Sequence, residues 1–127
     1  MAFMENLQKY IDAIENTNCG QLICGKTTAD GALIMPYADY STIIYEMMKE
    51  FFATDIVNYN YLETARELLD NFDVMIHTMT AKQVGTCLTY IFRGERFCEG
   101  LILTHLQNGK IVACLKRLME LDELSHI

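Results

Sequence analysis

Thr80–Leu121 reads TAKQVGTCLTYIFRGERFCEGLILTHLQNGKIVACLKRLMEL, and its hydrophobic spacing decides the fold class. Thr80 with Gln83 three residues on forms the signature of a capping box, and Val84, Cys87, Leu88 and Ile91 then make a helical stripe. A second helix is predicted from about Glu95 to Leu106, stopped at Asn108-Gly109. A third, Lys110 to Leu121, buries Ile111, Cys114, Leu115 and Leu118. Between the first two lies a charged knot, Arg93-Gly94-Glu95-Arg96, with Glu99 and Gly100 close behind.

Working outward, Ala2 to Asn16 predicts an amphipathic helix with Phe3, Leu7, Ile11 and Ile14 on one stripe, ended at Asn18-Cys19-Gly20 with Gly20 as a left-handed cap. Two apolar runs, Gln21 to Gly25 and Ala32 to Tyr37, flank a turn-forming segment containing Asp30-Gly31. They predict a β-hairpin over 21–37, with Pro36 ending the second strand or lying at its edge. The remainder, 42–121, reads as helical. Thr42 to Ala53 follows Ser41 as N-cap and presents Ile44, Met47, Met48, Phe51 and Phe52, and Asn60 to Asn71 carries Leu62, Ala65, Leu69 and Phe72. The expected architecture is α+β but mainly α, a single helical domain over 1–127 with a small hairpin.

Composition narrows the function classes without assigning a reaction. The chain has 127 residues, 51% apolar and 21% charged, enough to bury a real core in one globular domain. No apolar run approaches the ~20 residues of a bilayer span, and the N-terminus lacks a secretory pattern, so a cytoplasmic location is expected. Five cysteines with no CxxC pair suggest reduced thiols in a core. A net charge of −7 from 10 basic and 17 acidic residues, with no basic run, argues against nucleic acid as a partner.

Gly20-Gln21-Leu22-Ile23-Cys24-Gly25-Lys26-Thr27 satisfies the G-x-x-x-x-G-K-[ST] expression of a P-loop. A P-loop needs a buried strand before it and a helix N-terminus after it. Here a polar helix end precedes it and turn formers follow, so the match is a coincidence of letters. His77, His105 and His126 show no ligand spacing, and Cys98 with His105 makes at most two ligands; no metal and no cofactor are expected.

The knot allows two readings. Arg93, Glu95, Arg96 and Glu99 form either a partly buried salt-bridge network fixing a helix crossing, with Gly94 and Gly100 allowing close approach, or a clamp for a carboxylate or other anion. The clamp would combine Arg93 and Arg96 with Tyr37 or Tyr40.

Leu88 to Leu118 resembles a bacterial family catalogued as domain of unknown function 6508. Arg93, Glu95, Arg96, Phe97, Glu99 and Gly100 match its Arg-x-[Asp/Glu]-Arg-Phe-x-[Asp/Glu]-Gly pattern in order. Met35-Pro36-Tyr37-Ala38-Asp39-Tyr40 is similar to the Met-Pro-Tyr-x-x-Tyr that the family places after its first strands. The chain departs from the pattern in having no Trp, with Tyr59 and Tyr61 where many members carry tryptophan. The resemblance implies a bacterial or phage origin and a shared fold, and it assigns no activity.

The expected role is that of a small non-catalytic interaction or regulatory protein with a protein partner. One specific version is an inhibitor of a host defence enzyme. The alternative is a ligand-binding protein or enzyme using Arg93 and Arg96 for an anionic substrate. Met35, Met47, Met48 and Met75 suit an adaptable contact surface. The apolar strand residues Leu22, Ile23, Leu33 and Ile34 must be covered by a helix or paired in a two-fold homodimer.

Overall fold

The computed structural model describes residues 2–23, 27–32 and 37–125. Helices dominate: α1 (Ala2–Glu5), α2 (Leu7–Asn16), α3 (Thr42–Phe52), α4 (Ala65–Asp70), α5 (Phe72–Met75), α6 (Ala81–Gly94), α7 (Leu101–Gln107) and α8 (Lys110–Ser125). Two strands, β1 (Gly20–Ile23) and β2 (Tyr37–Tyr40), pair antiparallel with Gly20 opposite Tyr40 and Ile23 opposite Tyr37. The protein is therefore α+β and mainly α. No helix among the described residues is long and apolar enough to cross a membrane.

The Thr80–Leu121 segment forms the centre. Thr80 Oγ1 accepts from the Gln83 N–H at 3.2 Å while the Gln83 side chain accepts from the Thr80 N–H at 2.9 Å, closing the capping box. Val84, Cys87, Leu88 and Ile91 of α6 and Ile111, Cys114, Leu115 and Leu118 of α8 are all fully buried. α8 packs on both α2 and α6, so its apolar stripe is covered from two sides. Each such large aliphatic side chain contributes about 1.5–3 kcal/mol on burial. From α3, Phe51 completes the core with edge-on contacts to Phe3 at 5.5 Å and Phe92 at 5.4 Å between ring centroids.

Several expectations shift at element boundaries. The N-terminal helix divides at Asn6, whose side-chain amide reaches across to both oxygens of Glu50 on α3 at 3.1 and 3.2 Å. Gly20 is a strand residue and not a helix cap; a Cβ there would come within 2.8 Å of the Tyr40 ring. Strand β2 continues past the expected end at Tyr37 to Tyr40, whose ring is buried against the chain's helical half. Leu33, Ile34, Met35 and Pro36, like Cys24, Gly25, Lys26 and His126, lie outside the described residues.

The stripe expected on 60–71 holds at Ala65 and Phe72 and shifts by one residue at its other two positions, from Leu62 to Tyr61 and from Leu69 to Leu68. Tyr61, Ala65, Leu68 and Phe72 are buried, whereas Leu62 is exposed. A 3-10 turn at Tyr61–Glu63 and the break at Asn71 change the angular phase from that of one continuous helix. The helix predicted from Glu95 starts at Leu101. Backbone bonds from Phe97 N–H and Cys98 N–H to the Gly94 carbonyl, both at 2.9 Å, fold residues 95–100 over the end of α6. Gly100 at φ +89° then turns the chain into α7.

Cys19, Cys87 and Cys114 are buried as a core reading requires, and Cys98 is exposed on the 95–100 turn. Burial pushes the Cys87 thiol up to about 12, so it stays protonated and behaves as a small hydrophobe.

Candidate functional site: an arginine groove at the end of α6

The two acids of the knot bind backbone. Glu95, first residue of the turn, extends its carboxylate to the start of α7. Oε2 accepts from the Gly100 N–H at 2.9 Å, and Oε1 accepts from the Ile102 N–H at 2.8 Å. The first N–H groups of a helix have no intrahelical partner, and a carboxylate there is favoured by both hydrogen bonding and the helix dipole. Oε1 also receives the Tyr40 hydroxyl at 3.0 Å, and that hydroxyl accepts from the Leu103 N–H at 3.0 Å. β2, the knot and α7 are thereby locked through one carboxylate and one phenol. Burial holds the Tyr40 phenol well above its ordinary range; the Leu103 N–H opposes this and Glu95 adds to it. Glu99 accepts from the Ala38 N–H at 2.8 Å, covering a backbone donor on the outer edge of β2.

Gly94 makes the tight junction: a Cβ there would overlap the Leu101 side chain. Gly100 has open space around it and is required instead for its positive φ.

The arginines face elsewhere. Among the described residues neither Arg93 nor Arg96 is in an ion pair; the pairs present are Lys9–Glu46, Lys116–Glu15 and Arg117–Glu120. The salt-bridge network anticipated for the knot is thus replaced by carboxylate-to-backbone bonds. A glutamate beside free N–H groups at a helix start satisfies them without desolvating an arginine.

Arg93 and Arg96 line a groove of about 580 Å³. Its apolar part comes from Met48 and Phe52 on α3 and Phe92 on α6, with the Phe52 and Phe92 rings 6.3 Å apart. Tyr59 forms a further wall, and Glu95 and Glu99 reach the rim. The Arg93 guanidinium lies 5.3 Å from the Tyr59 ring centroid and 5.8 Å from that of Tyr61. Such stacking is worth ~0.5–1 kcal/mol at an exposed site and fixes the orientation of the fork.

Tyr59 is held by α6 itself. The Asn58 N–H donates to Thr89 Oγ1 at 3.2 Å and the Asn58 amide donates to Thr86 Oγ1 at 3.0 Å. Gly85 lets the preceding loop lie directly on the helix, since a Cβ there would overlap the Ile56 carbonyl. The Thr86 and Thr89 side chains are buried. Their hydroxyls also donate back to the Lys82 and Gly85 carbonyls at 2.9 and 2.6 Å.

Of the residues singled out from sequence, the fold brings Arg93, Glu95, Arg96 and Glu99 to one groove. It places Tyr40 behind the groove on Glu95, and Tyr37 in β2 opposite Ile23. The aromatic partners of Arg93 are Tyr59 and Tyr61, a role that sequence reasoning missed. The available signal was Gly85-Thr86 and Thr89 interrupting an apolar helix, the mark of a segment docked against it. Of the methionines, Met48 lies on the groove, Met47 is core and Met75 is half-buried.

The string that spelled a P-loop contains strand β1, and Thr28–Gly31 forms a turn in place of a helix start. Among the described residues no group of three or more His, Cys, Asp or Glu is placed to hold a metal. A second hollow of about 490 Å³ lies between α1 and α3. There Lys9 pairs with Glu46 at 3.6 Å, and Glu50 takes the Tyr10 hydroxyl and the Asn6 amide, tying α2 to α3.

The fold and groove define a class: a mainly α domain carrying a stacked arginine beside an apolar cleft. The chain belongs to the family of unknown function DUF6508, whose pattern residues 2–123 match. No curated protein and no solved structure matches it.

Proposed function

We propose that this chain is a non-catalytic binding module whose groove at the end of α6 holds an anionic group borne on an apolar body. The observation that carries the reading is the division of labour in the knot. Both acids are committed to backbone N–H groups, while both arginines line the groove without an acidic partner among the described residues. A guanidinium offers a planar fork matched to carboxylate or phosphate, and Phe52, Phe92 and Met48 offer apolar contact beside it. The groove's hydrogen-bonding inventory favours binding over catalysis. The guanidinium groups offer hydrogen-bond donors and no acceptor, and the glutamates already accept structural hydrogen bonds. A module of this kind acts by occupancy, as a regulator or inhibitor does.

Titration of the ¹⁵N-labelled protein with phenylacetate and with phenyl phosphate tests this. The expected result is saturable shifts at the Arg93 and Arg96 side-chain Nε–H resonances, lost in an Arg93→Gln/Arg96→Gln double variant. A contact of about −4 kcal/mol corresponds to a dissociation constant of ~1 mM. Absence of shifts at roughly ten times that concentration would sink the reading.

A further inference from the structure

We infer that the occupant of this groove is a linear segment of a partner protein in which an aspartate or glutamate lies within a few residues of an aromatic or long aliphatic side chain. The inference rests on the binding reading above and names its ligand class.

Three observations point to a chain segment. Three residues of the groove wall face solvent, with Tyr59 66% exposed and Arg96 and Glu99 exposed, over a floor of buried and half-buried Phe92, Phe52 and Met48. Sites for small molecules bury most of the ligand surface, whereas an occupant here keeps one side open, as a peptide lying across a surface does. The recognition surface also continues past the groove. Tyr61, against which Arg93 stacks, packs edge-on against Tyr90 at 6.1 Å between centroids. Tyr90 in turn lines a further hollow of about 550 Å³ together with Leu62, Leu69 and Arg66. On the turn, Phe97 directly follows Arg96 and is 85% exposed, and Leu62 is 76% exposed. A small anion confined to the groove would leave both in water.

Charge supplies the third argument. Three of the chain's four arginines, Arg66, Arg93 and Arg96, lie along this track, on a protein of net charge −7. The overall field repels polyanions, and Glu95 and Glu99 at the groove rim select against runs of acid. A segment with sparse acids and apolar anchors meets the arginine forks without that penalty. Met48 and the aromatic rings supply the adaptable apolar contacts that such anchors need.

The test uses a random dodecapeptide display library selected on the wild-type protein and counter-selected on the Arg93→Gln/Arg96→Gln variant. Enriched sequences should share an acid near an aromatic or aliphatic residue. A fluorescein-labelled consensus peptide should bind, by anisotropy, about tenfold more weakly to Arg96→Gln. It should also weaken on Leu62→Asp, which leaves the phenyl phosphate titration of the groove unchanged. Peptide affinity unaffected by Leu62→Asp would show that the occupant does not extend along the track and would overturn the inference. If phenylacetate or phenyl phosphate titrates the groove but no selected peptide depends on the arginines, the peptide inference fails and the binding reading stands. If neither binds, both fall.

Discussion

Replacing Glu95 by alanine should destabilise this protein more than any other single change in the charged turn. The carboxylate accepts three hydrogen bonds, from the Gly100 N–H at 2.9 Å, the Ile102 N–H at 2.8 Å and the Tyr40 hydroxyl at 3.0 Å. Losing the charged partner of a buried donor costs roughly 1.5–3 kcal/mol. Glu95 is only half-buried, so water reaches part of the vacated space. Taking about 1 kcal/mol for each donor gives a loss of ~3 kcal/mol. At ~4 °C per kcal/mol for a chain of this length, the melting temperature should fall by about 12 °C. Glu95→Gln keeps one acceptor oxygen and should lose roughly half as much. Arg96→Ala, on an exposed side chain with no ion pair among the described residues, should stay within about 0.5 kcal/mol of wild type. Circular dichroism melts and urea titrations of the three variants decide the matter. Should Arg96→Ala prove as damaging as Glu95→Ala, or Glu95→Ala melt with wild type, the separation of scaffold acids from groove arginines is wrong.

Other consequences are open to equally direct measurement. Gly85→Ala should cost about 2–3 kcal/mol in urea unfolding, because the new methyl overlaps the Ile56 carbonyl, and it should loosen Tyr59 from Arg93. Thr80→Ala removes the acceptor of the Gln83 N–H and should cost ~1 kcal/mol, read from the shift in denaturation midpoint at constant slope. Burial, then the Lys110 charge, lowers the His105 pKa against the opposing Asn108 bond. The unfolded chain therefore binds the proton more readily, and stability is fully present above the ordinary histidine value of ~6.5 and declines as pH falls below it. His105→Gln should flatten the pH dependence of the urea midpoint in that window. An unchanged slope would remove His105 as its source.

The helices around the core were legible because their information is local and periodic. The Thr80–Gln83 box, the α6 stripe and the α8 stripe each depend on spacings within one helix, and each stands where the spacing put it. The Asn108-Gly109 stop is equally local, with Gly109 at φ +84°. The β-hairpin was visible as a kind of element, but strand β2 runs past the Tyr37 end that the sequence suggested, to Tyr40. Strand pairing depends on which ring is buried against the helices, and that is settled when Tyr40 reaches Glu95. The knot shows the limit most clearly. Charge and spacing singled out Arg93, Glu95, Arg96 and Glu99, yet composition alone pairs acids with arginines. In the folded chain unpaired N–H groups lie nearer to the acids, at Gly100 and Ile102 for Glu95 and at Ala38 on β2 for Glu99, so the carboxylates go there and the arginines are left to the groove. Tyr59 joins Arg93 because Gly85, Thr86 and Thr89 dock a loop from about thirty positions upstream, as the 31-residue separation of the Asn58–Thr89 bond records. One-dimensional patterns determine which faces are apolar. Contacts between segments distant in sequence determine which polar groups remain free to bind something else.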